Sequence, residues 1–177
     1  MTLDEATRAA RGKGNEAAFF LVKMREVEGT SLRNLAEAEE HFGYYLSAFL
    51  SATRSAQQIL AEVVGWDPIK ALRCGWPADE QALERTLSEA RNLTVHSGRS
   101  SATSTIQYFP QSKIRQEPRH PLDGYVIIAR PPGVPEVGIG VKKFTIQIVG
   151  RDEPAVETCE KYLRLNGRII DQLGASP

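Results

Sequence analysis

The chain has 177 residues, enough to bury one sizeable core, and its 41% hydrophobic and 25% charged residues are those of an ordinary globular protein. Lys+Arg and Asp+Glu are both 22, so there is no global basic field to coat nucleic acid, and any RNA or DNA contact must use a local patch. Cys74 and Cys159 stand far apart and in no Cys-x-x-Cys motif, which argues against a zinc site or a disulfide framework.

Met1 to Arg11 is charged and lacks the apolar stretch of a secretory signal, and no apolar run approaches membrane-spanning length. A cytoplasmic protein with no membrane contact is therefore expected. Thr2 and Glu5 have the spacing of a small capping box. Gly12 and Gly14 are expected to interrupt the helix that the box opens. A second helix is predicted from Asn15 to about Glu28, carrying Phe19, Phe20, Val22, Met24 and Val27, with Gly29-Thr30-Ser31 ending it and capping the next.

From Leu32 to Val64 no proline intervenes. Phe42, Tyr45, Leu46, Phe49, Ala52, Ala56, Ile59, Leu60 and Val63 recur at the three-four spacing of a long amphipathic helix. Gly43, Ser47, Ser51 and Ser55 form a row of small residues that suits the close approach of another helix, within the chain or from a second subunit. Gly65 to Pro68 breaks this helix, and Asp67 with Pro68 reads as a cap and first-turn proline. A short helix follows through Leu72, then a turn at Cys74-Gly75-Trp76-Pro77. Asp79 is expected to cap a helix running to about His96, with Leu83, Leu87, Ala90 and Thr94 on one stripe and Ser97-Gly98 as the stop.

Beyond Gly98 the period changes to that of strands. Ser104 to Phe109, Tyr125 to Ala129 and Lys143 to Val149 read as strands, the last with Phe144, Ile146 and Ile148 opposed to Thr145, Gln147 and Val149. Pro131 to Gly140 reads as a connector. Pro154 opens a final helix with Val156, Cys159, Leu163, Ile170 and Leu173 facing inward and Gly174 at its end. The expectation is one α+β domain over residues 1–177, mainly α. Residues 15–98 would form a helical bundle, residues 104–150 a small antiparallel sheet inserted before the last helix, and residues 154–173 a helix packing back on the bundle.

The chemistry concentrates in Arg91-Asn92-Leu93-Thr94-Val95-His96. Arginine clamps anions bidentately, and histidine is the side chain whose ordinary pKa lies near neutrality, so the set suits a phosphodiester. Successive helical residues advance by about 100°. Asn92 and His96 therefore share a face that points away from the Leu83–Leu87–Ala90–Thr94 stripe, toward water or a second subunit. Arg91 projects from a flank, from which its long side chain reaches the same face. The plain alternative is a helix end, with Arg91 in a surface ion pair to Glu84 or Glu89 and His96 facing the negative end of the helix dipole.

At these residues the chain resembles the HEPN superfamily, whose members carry an Arg-x(4–6)-His motif near the end of a bundle helix, often with a polar residue after the arginine. Arg91, the four residues that follow and His96 fit this pattern, and Asn92 fits the polar position. The aromatic run Phe42 to Ser51 resembles the family's long core helix. The resemblance covers roughly Asn15 to Gly98 and says nothing of the strands. It implies a homodimer whose two motifs meet in one cleft and a metal-independent endoribonuclease of toxin or antiphage type. In such a site His96 would move protons at the 2′-hydroxyl or the leaving oxygen, Arg91 would stabilise charge on the phosphate, and Asn92 would orient one of these groups or the phosphate. The family also includes non-catalytic interaction modules that pair with themselves or a partner protein.

Other constellations read as structure. Glu37 to His41 lacks the Glu-x-x-His spacing of a di-iron bundle, because Ala38 stands at that position, and is expected to be a solvated acidic face. No cofactor is implied, since Gly138-Ile139-Gly140 does not feed a helix. Lys113, Arg115, Arg119 and His120, with Lys142 and Lys143, form the one local basic patch, and Trp66 and Trp76 read as core or rim packing. A ligand pocket between bundle and sheet would instead suggest a small-molecule sensor.

Overall fold

A computed structural model describes residues 1–28, 35–97, 102–110 and 138–175, with side chains described for 1–28, 37–92, 102–105 and 143–175. The chain is mainly helical, with a three-stranded antiparallel sheet before the C-terminal helix. Among the described residues, no helix is long and apolar enough to cross a membrane.

Helix α1 spans Leu3–Glu28. The capping box forms reciprocally: the Thr2 amide donates to Glu5 Oε2 at 2.7 Å and the Glu5 amide to Thr2 Oγ1 at 3.3 Å. Gly12 and Gly14 do not interrupt the helix as expected. Each costs roughly 1 kcal/mol relative to alanine in a helix interior. Ala6, Ala10, Ala17, Leu21, Met24 and Val27 nevertheless make one continuous buried stripe across them, against α2 (Leu35–Val64) and α5 (Ala155–Gly174). Tertiary packing of that stripe outweighs two weak positions. The cap proposed at Gly29 to Ser31 lies outside the described residues.

Gly65, at φ 80°, separates α2 from the short α3 (Trp66–Cys74), a left-handed conformation that glycine adopts without strain. Gly65 is the N-cap residue of α3, and no side chain caps it. Asp67 therefore sits inside the first turn, where its carboxylate accepts from Lys70 Nζ at 3.3 Å. Helix α4 (Ala78–Ser97) likewise begins before Asp79, which lies in the first turn rather than at the cap. The Pro77 carbonyl accepts the Gln81 amide, and the Gln81 side chain donates back to Trp76 O at 2.8 Å, closing the Cys74–Pro77 turn.

The strands are β1 (Ala102–Pro110), β2 (Gly138–Ile148) and β3 (Arg151–Pro154), in the order β1-β2-β3. Two boundaries differ from expectation. Gly138 to Gly140, read as a connector, belongs to β2, where Ile139 pairs with Phe109 and Gly140 with Tyr108. The third strand is Arg151–Pro154, while Tyr125 to Ala129 lies outside the described residues. Val149 and Gly150 form the two-residue turn between β2 and β3, both at positive φ (48° and 77°), as a type I′ hairpin requires.

The sheet docks through the expected alternation. Phe144 and Ile146 are buried, Thr145 and Gln147 are not, and the Phe144 ring stacks on Phe42 of α2 with centroids 3.7 Å apart. Around that stack lie Met24, Leu46, Phe49, Leu83, Leu87 and Tyr162. A second apolar cluster at the far end of the helices joins Ala6, Ala10, Leu60, Ile69, Ile169 and Leu173. Trp66 and Trp76 are half-buried at its rim. Thus α5 returns along α1 and α2 and spans both clusters, with Val156, Cys159, Ile170 and Leu173 inward as its periodicity implies.

Candidate functional site

The hexapeptide lies wholly within α4, which continues through Ser97. The helix anchors itself by burying Leu83, Leu87 and Ala90, and this sets where Arg91 and Asn92 emerge. Asn92 is exposed, as its position opposite the stripe requires, and Arg91 is half-buried. Arg91 Nη1 donates to Asn92 Oδ1 at 3.2 Å, so the arginine does swing to the Asn92 side. Its Nε, like that of Arg73, is buried without a hydrogen-bond partner among the described residues. The side chain of His96 lies outside the described residues, as does that of Thr94.

Arg91 and Asn92 line a small cavity of about 130 Å³ with Leu50 and Arg54 of α2, Leu87 and Ser88 of α4, and Tyr162 of α5. Among the described residues both charged lining side chains are arginines, and no carboxylate lines it. Among the described residues, neither ion pair of the plain helix end, Arg91 with Glu84 or Arg91 with Glu89, is formed. Glu84 is held instead by Arg73 Nη1 at 3.0 Å and by the Ser88 hydroxyl at 3.0 Å. Glu89 is exposed.

Behind the cavity lies a buried polar network. Gln57 donates to Asn166 Oδ1 at 2.7 Å, Asn166 donates to Tyr162 O at 3.3 Å, and Arg73 Nη2 donates to Gln57 Oε1. Arg73 of α3 is thereby pinned between α2 and α4, adding a third guanidinium near Arg54 and Arg91. Burial, then the charges of Arg73 and Arg91, pull the Arg54 pKa below its ordinary value, although a guanidinium stays charged in proteins. Arg54 also stacks on the Trp66 ring, 4.3 Å from its centroid. Burial, with Glu84 nearby, pushes the Tyr162 phenol up, so it remains a neutral hydroxyl.

Arg54, Ser88 and Tyr162 were not marked by any motif. The signal that points toward this region is Gln57, a polar residue on the Phe42–Leu46–Phe49–Leu60 stripe of α2, matched by Asn166 on the buried stripe of α5. Of the expected basic patch, Lys143 is exposed, and the remaining side chains lie outside the described residues.

Larger cavities have different chemistry. One of about 420 Å³ between bundle and sheet is lined by both signs, including Asp79, Glu80, Glu153, Lys161 and Arg164, and Arg168 there is already paired with Glu80. Another of about 790 Å³ includes Glu28, Glu157 and Glu160 beside Arg25 and Lys143. Glu37, Glu39, Glu40 and His41 are exposed while Ala38 packs toward the core, and His41 Nε2 is 4.0 Å from Glu37 Oε1. Among the described residues, no group of three or more His, Cys, Asp or Glu is arranged to hold a metal ion. No family model, curated protein or solved structure matches the chain.

Proposed function

We propose that this protein is an HEPN-like, RNA-binding effector that acts in the cytoplasm as a homodimer and cleaves RNA without a metal ion. The observation that carries the reading is the Arg91 guanidinium. It lines a cavity whose charged lining, among the described residues, is cationic, while the carboxylate of Glu84 is occupied by Arg73.

In the proposed reaction His96 removes the proton of a ribose 2′-hydroxyl, whose oxygen attacks the adjacent phosphorus. The P–O5′ bond breaks, and His96 of the partner subunit protonates the leaving oxygen. Arg91 stabilises the charge that grows on the non-bridging oxygens, and Asn92 holds the Arg91 guanidinium at the angle that does so. The products are a 2′,3′-cyclic phosphate and a 5′-hydroxyl. Incubation with single-stranded RNA in a chelator, with end-group analysis, tests this. Those two ends are expected from the wild type and not from Arg91→Ala. Ends that appear only when a divalent ion is added contradict it.

A second reading, a non-catalytic module that pairs with itself or a partner protein, is favoured by one surface. Phe19 and Tyr44 are 55% and 67% exposed and join Phe20 and Tyr45 in a run of ring contacts across α1 and α2. That reading expects association without RNA turnover.

A further inference from the structure

We propose that the cavity among α2, α4 and α5 is a seat for a single phosphate group gripped by Arg54 and Arg91 together, which makes Arg54 a binding residue of the RNA site. The source of the phosphate, an RNA backbone, rests on the function proposed above; the seat itself does not.

Three features define it. First, two guanidinium groups from different helices line one opening, and among the described residues no carboxylate lines it. Arg73 behind them is paired with Glu84 at 3.0 Å, so Arg54 and Arg91 carry the charge of the seat. Second, donors are left over. Arg54 Cζ lies 4.3 Å from the Trp66 ring centroid, and among the described residues nothing accepts a hydrogen bond from its guanidinium, while Arg91 gives one N–H to Asn92. Among the described residues no carboxylate pairs with Arg54. A buried donor without an acceptor is costly, and an oxyanion supplies several acceptors at once. Third, the size discriminates. About 130 Å³ is far below the roughly 300–1,000 Å³ of a pocket for a whole small molecule, so the seat takes a group rather than a nucleotide. Exposed Asn92 stands at the opening, through which the rest of a longer ligand would leave. The Gln57–Asn166 bond behind the cavity fixes the relative position of α2 and α5, so the seat is formed in advance.

The test titrates the whole chain at low salt with inorganic phosphate, with adenosine 5′-monophosphate and with a short single-stranded RNA. Inorganic phosphate is expected to bind saturably and to compete with RNA. Arg54→Gln is expected to weaken both at least tenfold and to reduce the salt slope of RNA binding by about one. Arg54→Lys keeps the charge but not the planar fork, and retains part of the phosphate affinity. Thermal melts accompany each variant, and if Arg54→Gln does not fold, weakened phosphate binding by a folded Arg54→Lys supports the seat. Wild-type phosphate and RNA affinity in a folded Arg54→Gln overturns it, as does RNA binding that phosphate never displaces. Tighter binding of the mononucleotide than of RNA supports the seat and overturns RNA as its source. Absence of RNA cleavage by the wild type, beside lost phosphate binding in Arg54→Gln, overturns the nuclease reading alone, and undiminished cleavage by His96→Ala overturns only the role given to His96.

Discussion

Gln57 on α2 donates to Asn166 on α5 across 2.7 Å, a buried bond between residues 109 positions apart in the chain. Because Gln57 also accepts from Arg73, and Arg73 holds Glu84, one side-chain amide ties α2, α3, α4 and α5 together behind the phosphate seat. Gln57→Leu removes both partners at once and is expected to cost roughly 2–3 kcal/mol in urea unfolding. Adding Asn166→Leu should cost less than the sum of the two single changes, since the second removes a group that the first left unpaired.

Glycines in the helices have opposite requirements. A Cβ at Gly174 would lie 2.7 Å from Thr7 Cγ2, because α5 ends against the start of α1. Gly174→Ala is expected to destabilise by about 1–3 kcal/mol, and Thr7→Ala in the same chain to relieve most of that. Gly12 and Gly14 have open space at the same position, so alanine at either should stabilise by roughly 0.5–1 kcal/mol. Melting curves of the four variants check both signs.

The β2–β3 turn carries strain at Val149, a β-branched residue at φ 48° that is 76% exposed. Val149→Asn creates the Asn-Gly pair that this turn type favours, and should raise stability by about 1 kcal/mol without altering the core. No gain in the melting temperature would contradict the turn assignment.

Glu28 ends α1 half-buried under the sheet and accepts the Phe144 amide at 3.3 Å. Burial raises its pKa above the ordinary 4.5, outweighing the hydrogen bond from Phe144. A carboxyl raised in the native state contributes stability that is fully present below its unfolded pKa and is lost as pH rises through the native value. Wild-type protein should therefore lose stability relative to Glu28→Gln as pH rises from below 4.5 toward neutrality. A constant difference between the two across that window would contradict the burial of this group.

Regular periodicity made much of the fold legible. The Phe42–Leu60 spacing, the Thr2/Glu5 box and the Phe144/Ile146 alternation each express a local rule, and each forms. The reading failed for two reasons: distant packing of a shared stripe carried α1 through two glycines, and the neighbouring Gly65 and Pro77 started α3 and α4 ahead of the aspartates expected to cap them. Asn92 was placed correctly because helical geometry alone decides its side. Arg54, Arg73 and Tyr162 were not legible, since only the packing of α3 and α5 brings them to Arg91.

His96→Ala tests the central claim most directly, with RNA binding and RNA cleavage measured on the same folded preparation in a chelator. Loss of general acid–base catalysis should lower cleavage by at least about a hundredfold. RNA affinity should hold within a few-fold, because Arg54 and Arg91 remain, and the melting temperature should be unchanged. Cleavage at the wild-type rate would contradict the account.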